Sequence, residues 1–368
     1  MRSLALSGWC VTAVLLTAGH APAEGPAPVS RFDFEQAEPA ACWTSTAHEA
    51  VLAIAHEPDL VRSGTGALQL TWTPLDGRLA FLELGPVALA GRPRSLSLSI
   101  RMSEASPLMY AVREGDGSEY QGYVYMPGGR WHDLAVDLDE LMLSEVSQDE
   151  NGRLDVGQIN AIVVADISNL PGEAGKSLGI KQGEQQMWLD DVAIGERLAP
   201  HRSTRGPEGE MIIDDFDLDP VRCLPIGAPR LELAAGPEAG DPSALRIGYD
   251  QEGYRWAGFV AAVGYLNLAN CAQLGLRVKA ECEAPLTVVL EERDGSKYVT
   301  RHRLDPEAGW YDVALEFAHF KLDEATEDEN DRLDLDQLRV VIPVVDTRRA
   351  QVGEGGGGAW LLSRIWCR

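Results

Sequence analysis

Leu108-Met-Tyr-Ala-Val-Arg-Glu-Gly-Asp-Gly-Ser-Glu-Tyr120 returns later in the same chain as Leu286-Thr-Val-Val-Leu-Glu-Glu-Arg-Asp-Gly-Ser-Lys-Tyr298, with six of 13 positions identical. One residue of slippage later, Trp131 meets Trp310. Asp149-Glu-Asn-Gly-Arg-Leu-Asp-Val-Gly-Gln158 then meets Asp328-Glu-Asn-Asp-Arg-Leu-Asp-Leu-Asp-Gln337, with seven of ten identical. Weaker matches keep the order: Asp33-Phe34-Glu35 with Asp215-Phe216-Asp217, Ala67-Leu68 to Trp72 with Ala244-Leu245 to Tyr249, and Trp188-Leu189 with Trp360-Leu361. Chance does not preserve such an order, so the chain holds two copies of one domain. A period this long is a domain duplication rather than a solenoid.

Each copy reads as β-structure. Leu96, Leu98 and Ile100 alternate with Ser97 and Ser99, and Leu274, Leu276 and Val278 repeat the pattern, which is the period of a half-buried strand. Asp116-Gly117 and Asp294-Gly295 lie between such runs and signal hairpins. As two-residue turns they would set Tyr110 opposite Tyr123 and Val288 opposite Arg301. A Trp and a further strand follow, with His132, Leu134, Val136 and Leu138 on one face, matched by Tyr311, Val313, Leu315 and Phe317. Asp155–Gln158 and Asp334–Gln337 have capping-box spacing and predict one helical turn each. The expected fold class is all-β, two tandem jelly-roll β-sandwich domains. The boundaries are 1–23 for a signal peptide, 24–198 for the first sandwich, 199–210 for a polar Pro/Gly linker and 211–368 for the second.

The leader reading rests on Arg2, the apolar run Leu4 to Ala18 and the small-residue site Ala21-Pro22-Ala23. That run is shorter than the roughly 20 residues a membrane span needs, so the expectation is export to the periplasm or medium without membrane insertion. A formal charge of −25 argues against nucleic acid and anionic membranes as partners, because both require a basic footprint. The mature chain keeps Cys42, Cys223, Cys271, Cys282 and Cys367, and export permits disulfides. Cys271 and Cys282 flank a strand whose extended span of roughly 36 Å forbids a mutual bridge. Two bridges would therefore use Cys223 and Cys367 once each and leave Cys42 odd.

The order of these features resembles the galactose-binding-like jelly rolls, nearest to family 11 carbohydrate-binding modules and the complex I intermediate-associated protein 30 domain. The Asp-Phe-Glu (33–35) and Asp-Phe-Asp (215–217) openings carry the resemblance, with the Asp-Gly hairpin, the Trp131 or Trp310 strand, the Asn-x-x-Leu-Asp-x-x-Gln element and the closing Trp188-Leu-Asp-Asp-Val192. The second copy departs at Trp360-Leu-Leu-Ser-Arg-Ile365, which lacks the acidic pair Asp190-Asp191. The resemblance implies the fold, and it implies polysaccharide or glycan binding as one function of this architecture.

Modules of this shape would stack sugars on aromatic rings and hydrogen-bond their hydroxyls. Tyr110, Tyr123 and Tyr125 would share one hairpin face with Gln121, while Arg113 would lie opposite Tyr120 on the other. The second copy sets Tyr298 opposite Glu291 and replaces Tyr123 and Tyr125 by Arg301 and Arg303. Trp72, its counterpart Tyr249, Tyr254 and Trp256 complete the ligand-binding candidates. The bland reading is that aromatic residues of a sandwich pack its core. Asp149, Asn151 and Asp155, with Asp328, Asn330 and Asp334, form short acidic loops of the kind that hold structural calcium. Loop-internal capping accounts for the same residues without a metal. No Gly-x-Ser-x-Gly, His-Glu-x-x-His, phosphate loop or dinucleotide fingerprint is present, so the chain is read as a non-enzyme. The alternative to sugar binding is an envelope protein–protein interaction or assembly module.

Overall fold

The computed structural model describes residues 30–368 except 36–42, 46, 76, 88, 90, 200–203, 207, 218–219, 238–242 and 353–355. The leader at 1–23 and Cys42 lie outside the described residues. Two antiparallel sheets build the first half. One runs in the order Val51–Ala55, Ala67–Trp72, Gln185–Gly195, Ser95–Met102, Trp131–Asp137, with Ser30–Phe32 also on Gln185–Gly195. The other, the hairpin sheet, runs Met142–Leu143, Glu119–Met126, Ser106–Glu114, Ile159–Asp166, Ala80–Leu84, Trp43–Ser45.

The second half repeats this order and adds one short strand, Thr204–Arg205, beside Met211–Asp214. Arg230–Ala234, Ala244–Asp250, Gly357–Cys367, Gln273–Ala280 and Tyr311–Glu316 form its first sheet, with Met211–Asp214 again on the long closing strand. Its hairpin sheet runs Lys321–Leu322, Lys297–Leu304, Ala284–Glu292, Leu338–Asp346, Trp256–Ala262, Leu224–Ile226. The chain is therefore a tandem pair of jelly-roll β-sandwiches. Among the described residues no helix is long and apolar enough to cross a membrane. The segment read as a linker is partly built in: Ala199 donates its N–H to Asp137 at 2.5 Å, and Thr204–Arg205 pairs with Met211 and Ile212.

Alternation accounts for the cores. Leu96, Leu98 and Ile100 share the inner face of their sheet with Leu68, Leu70 and Leu189 in the first core, as Leu274, Leu276 and Val278 do with Leu245, Ile247 and Leu362 in the second. His132, Leu134 and Val136 are buried together, as their shared parity requires. The opening Asp-Phe motif has a structural meaning in both copies. Phe34 and Phe216 sit at φ of 55° and 59°, rare for a bulky residue, and each ring is buried in its core. The closing strands differ by one residue from the sequence alignment. Met187 and Trp360 both pair with the inward position opposite Leu70 and Ile247, so Trp360 stacks in the core while Trp188 faces outward under Arg101.

The hairpin register corrects a second expectation. Glu114 and Ser118 close a three-residue loop, Gly115-Asp116-Gly117, with Gly117 at φ 99°; Glu292, Ser296 and Gly295 at φ 92° do the same. The extra loop residue pairs Tyr110 with Gly122, Met109 with Tyr123 and Thr287 with Arg301. Arg113 accordingly pairs with Glu119, not Tyr120, and Tyr298 with Leu290, not Glu291. A slip of one residue moves every side chain to the opposite face. Tyr110, Tyr120 and Tyr298 thus point into the sandwiches, while Tyr123, Tyr125, Arg301 and Arg303 point out. The helical turns shrink to a three-residue 3-10 turn at Val156–Gln158 and a simple turn before Gln337.

Tyr110 crosses directly above Gly122, where a Cβ would lie 2.5 Å from its ring. Gly122→Ala is expected to destabilise the first sandwich by about 1–3 kcal/mol through overpacking, read as a lower urea midpoint; an unchanged midpoint would refute this packing. Cys223, Cys271, Cys282 and Cys367 carry free thiols, and those of Cys271 and Cys367 hydrogen-bond each other. An external disulfide oxidant is expected to take two electrons from that pair, releasing two protons and joining the sulfurs. Non-reducing peptide mapping should recover a Cys271–Cys367 peptide; a different pairing would overturn the expectation.

Candidate functional site

The outer edge of the first hairpin sheet meets the second sandwich. Beyond Met142–Leu143 the Glu119–Met126 strand has a free edge, and there the Tyr125 N–H donates to the Val221 carbonyl at 3.0 Å. The Tyr125 ring packs against the second core. Arg222 reaches back into the first copy, where its guanidinium bonds the Glu140 carboxylate and the Ala135 carbonyl. Ser177 completes the join by taking the Gly227 N–H on its hydroxyl at 2.8 Å and the Ala228 N–H on its carbonyl at 2.6 Å. Removing one member of a buried ion pair such as Arg222–Glu140 typically costs about 3–5 kcal/mol, because the other charge is left buried.

A cavity of about 250 Å³ opens along this seam. Its walls are Tyr123 and Met142 from the first copy, and Val260, Ile342 and Tyr265 from the second. Arg339 spans it, bonding Glu145 of the first copy at 2.5 Å and lying 3.8 Å from Glu291 of its own. The Tyr123 hydroxyl accepts a hydrogen bond from Gln121 at 2.6 Å, and burial pushes its pKa up, so it stays a neutral donor. The seam therefore combines aromatic and aliphatic walls with charged groups that accept and donate hydrogen bonds. Small-ligand pockets have this composition and volumes of roughly 300–1,000 Å³; the seam cavity falls just below that range.

The twelve ligand-binding candidates do not form one surface. Trp72, Tyr110, Tyr120, Tyr249 and Tyr298 are buried. The Tyr120 and Tyr298 hydroxyls donate to Asp149 and Asp328, and the Tyr249 hydroxyl meets the Cys282 thiol at 3.1 Å. Tyr110 lines the seam cavity from the core side. Arg113 is outward but held by Glu83 at 2.9 Å and Glu119 at 3.0 Å. Tyr254 is exposed, and Trp256 is covered by the Arg255 guanidinium at 4.8 Å, beside Asp346. Tyr123 and Tyr125 fall at the seam, whereas Arg301 and Arg303 lie across the second hairpin sheet. Sequence reasoning missed Tyr265, Arg339, Glu145 and Glu291, because they converge only when the copies dock. The available signal was divergence between copies: Arg339 stands where the first copy has Asn160.

The acidic loops are also rearranged relative to expectation. Asn151 donates to Asp155 at 3.2 Å and Asn330 to Asp334 at 2.9 Å, so these side chains close the loop on itself. Asp149 and Asp328 accept the Arg153 and Arg332 N–H groups. The carboxylates that converge are instead Glu114, Asp116 and Asp149, and Glu292, Asp294 and Asp328, each set within 4.8 Å. These are the oxygens that could hold a hard cation.

No family model matches the sequence, and no curated protein matches it. Among solved structures, the chain is similar to the CBM22-1–CBM22-2 tandem of Xyn10C from Paenibacillus barcinonensis, at 12% identity over 93% of this chain and 97% of that one, with TM-score 0.30. A family 11 carbohydrate-binding module from Clostridium thermocellum, in complex with a β-1,3-1,4-mixed-linked tetrasaccharide, matches at 12% identity over 43% of this chain and 90% of that one, TM-score 0.32. An exo-β-agarase matches at 15% identity over 48% of this chain and 25% of the enzyme, TM-score 0.34. The sandwich topology described above stands on its own strand order.

Burial, with the neighbouring carboxylates Asp149 and Asp116 adding to it, raises the Glu114 pKa above its ordinary value, and burial does the same for Glu292. An acid whose pKa is raised by folding favours the fold while protonated, and that contribution is lost as pH rises through the folded pKa. The double variant Glu114→Gln/Glu292→Gln keeps an acceptor for the Asp155 and Asp334 N–H groups. Its stability relative to the parent should improve between pH 4 and pH 7 in urea unfolding; a difference that does not change with pH would contradict this linkage.

Proposed function

We propose that the protein is an exported, non-catalytic glycan-binding protein whose saccharide site is the seam between the two sandwiches. The observation that carries this reading is the convergence of Tyr123 and Tyr265 with Arg339, Glu145 and Glu291 around one cavity. A pyranose offers one face of C–H groups to a ring and a rim of hydroxyls to charged partners, and this wall supplies both. Because each copy contributes residues, the site belongs to the pair and not to either sandwich alone. The cavity suits one sugar unit or chain end rather than a long stretch of polymer.

An envelope assembly module would call for a broad exposed apolar patch. Among the described residues the exposed large apolar side chains are Val51, Val146, Ile180, Leu198 and Tyr254, spread over five segments of the chain. They supply no such patch.

Affinity electrophoresis of the full mature chain through gels of soluble neutral polysaccharides tests the proposal. Retardation by one glycan is expected, weakened about tenfold, or ~1.4 kcal/mol, by Tyr123→Ala and by Arg339→Ala. Arg78→Gln, on the exposed surface of the first copy, should bind as the parent does. Absence of retardation across the panel would sink the reading and favour the assembly module.

A further inference from the structure

The two hairpin sheets place different chemistry at equivalent outward positions. Tyr123 and Tyr125 of the first copy serve the seam. Arg301 and Arg303 of the second stand on the outer face of a strand whose corresponding edge carries only the two-residue Lys321–Leu322 strand. They pair across the ladder with Thr287 and Pro285, and Arg349 reaches the same end of the sheet from the turn after Leu338–Asp346. Together they line a shallow depression of about 470 Å³.

The arginines are only partly neutralised. Arg301 is exposed and makes no ion pair or side-chain hydrogen bond with any described residue. Arg303, 75% exposed, pairs with Glu283, and Arg349, 73% exposed, lies 3.7 Å from Asp346, which Arg255 also approaches. A protein of net charge −25 gains nothing in solubility from gathering three arginines at one end of a sheet. Guanidinium groups are planar forks that match carboxylates and sulfates bidentately. Arg301 and Arg303, two residues apart on one strand, stand roughly 6.7 Å from each other along it. That is an open row of cations, suited to anions repeated along a polymer rather than to one enclosed anion.

The row continues the outer face of the second hairpin sheet. From Val260 at the seam, the face crosses Ile342 and Val289 to reach Val299 and Arg301, three strand spacings or roughly 14 Å away. We infer that this face is a second saccharide site, one that binds an anionic polysaccharide through Arg301, Arg303 and Arg349. The inference rests on the glycan-binding reading for the class of ligand, while the site is separate from the seam. The anion is a carboxylate or a sulfate carried on sugar units.

The test uses the full chain in affinity gels containing polygalacturonate, dextran sulfate or neutral dextran and mixed-linkage β-glucan. Retardation by polygalacturonate or by dextran sulfate is expected, and whichever polymer retards more identifies the anion. The triple variant Arg301→Gln/Arg303→Gln/Arg349→Gln should weaken that retardation at least tenfold and flatten its dependence on salt. A control removing the same charge elsewhere, Arg78→Gln/Arg92→Gln/Arg197→Gln, should retain most of it. Tyr123→Ala should leave it intact. Equal losses in the two triple variants would overturn the site, leaving only attraction by net charge. Binding of neutral glycan alone would overturn it while sparing the seam reading, and no retardation by any polymer would overturn both. Circular dichroism of each variant shows whether a loss comes from misfolding.

Discussion

Everything in each sandwich depends on the register of its central hairpin. The loop closed by Glu114 and Ser118, or by Glu292 and Ser296, carries three residues and uses a glycine at positive φ to return the chain. That geometry sets which parity of each strand faces the core. In the first copy it sends Leu108, Tyr110 and Val112 inward with Tyr120 and Val124, and it leaves Arg113, Gln121, Tyr123 and Tyr125 on the outside. Had the loop been two residues long, Arg113 would have shared a face with Tyr120, and the core would have received it in place of Val112.

The same hairpin supplies the edge by which the sandwiches join. A strand with unpaired N–H and C=O groups invites a partner, and the first copy satisfies its edge with Val221 from the second. Around that backbone bond the side chains have specialised. Tyr125 seals the contact, Arg222 crosses to Glu140, and Arg339 ties Glu145 to Glu291 across the opening. The second copy bears arginines at the positions of Tyr123 and Tyr125, and charged side chains on an edge strand discourage further pairing. Duplication thus made two scaffolds, and divergence gave one an interface and the other an exposed cationic face.

Buried polar groups repeat as faithfully as the cores do. Tyr120 with Asp149 and Tyr298 with Asp328 anchor the two acidic loops, while Glu114 and Glu292 receive the Asp155 and Asp334 N–H groups. These pairs explain why the Asp-Glu-Asn-x-Arg-Leu-Asp stretch is the best-kept segment of the repeat. It is a hydrogen-bonded plug beneath the hairpin, and a partly satisfied network there would cost more than an apolar substitute.

Duplication, the all-β class and the identity of most strands were legible in the sequence, since hydrophobic alternation and turn residues are local and written twice. Parity was not, because Asp-Gly marks a turn without stating its length, and the misplacement of Tyr110 and Tyr123 on one face follows from that alone. Trp188 and Trp360 failed for the same reason, a one-residue offset that reversed their faces. The seam lay further out of reach. Tyr123, Glu145, Tyr265, Glu291 and Arg339 are scattered along the chain, and no spacing rule links them. The sequence by itself determined two copies of a β-sandwich and the chemistry available to each; only docking one sandwich on the other decided which side chains meet, because that depends on a free strand edge and on which face each residue was turned to.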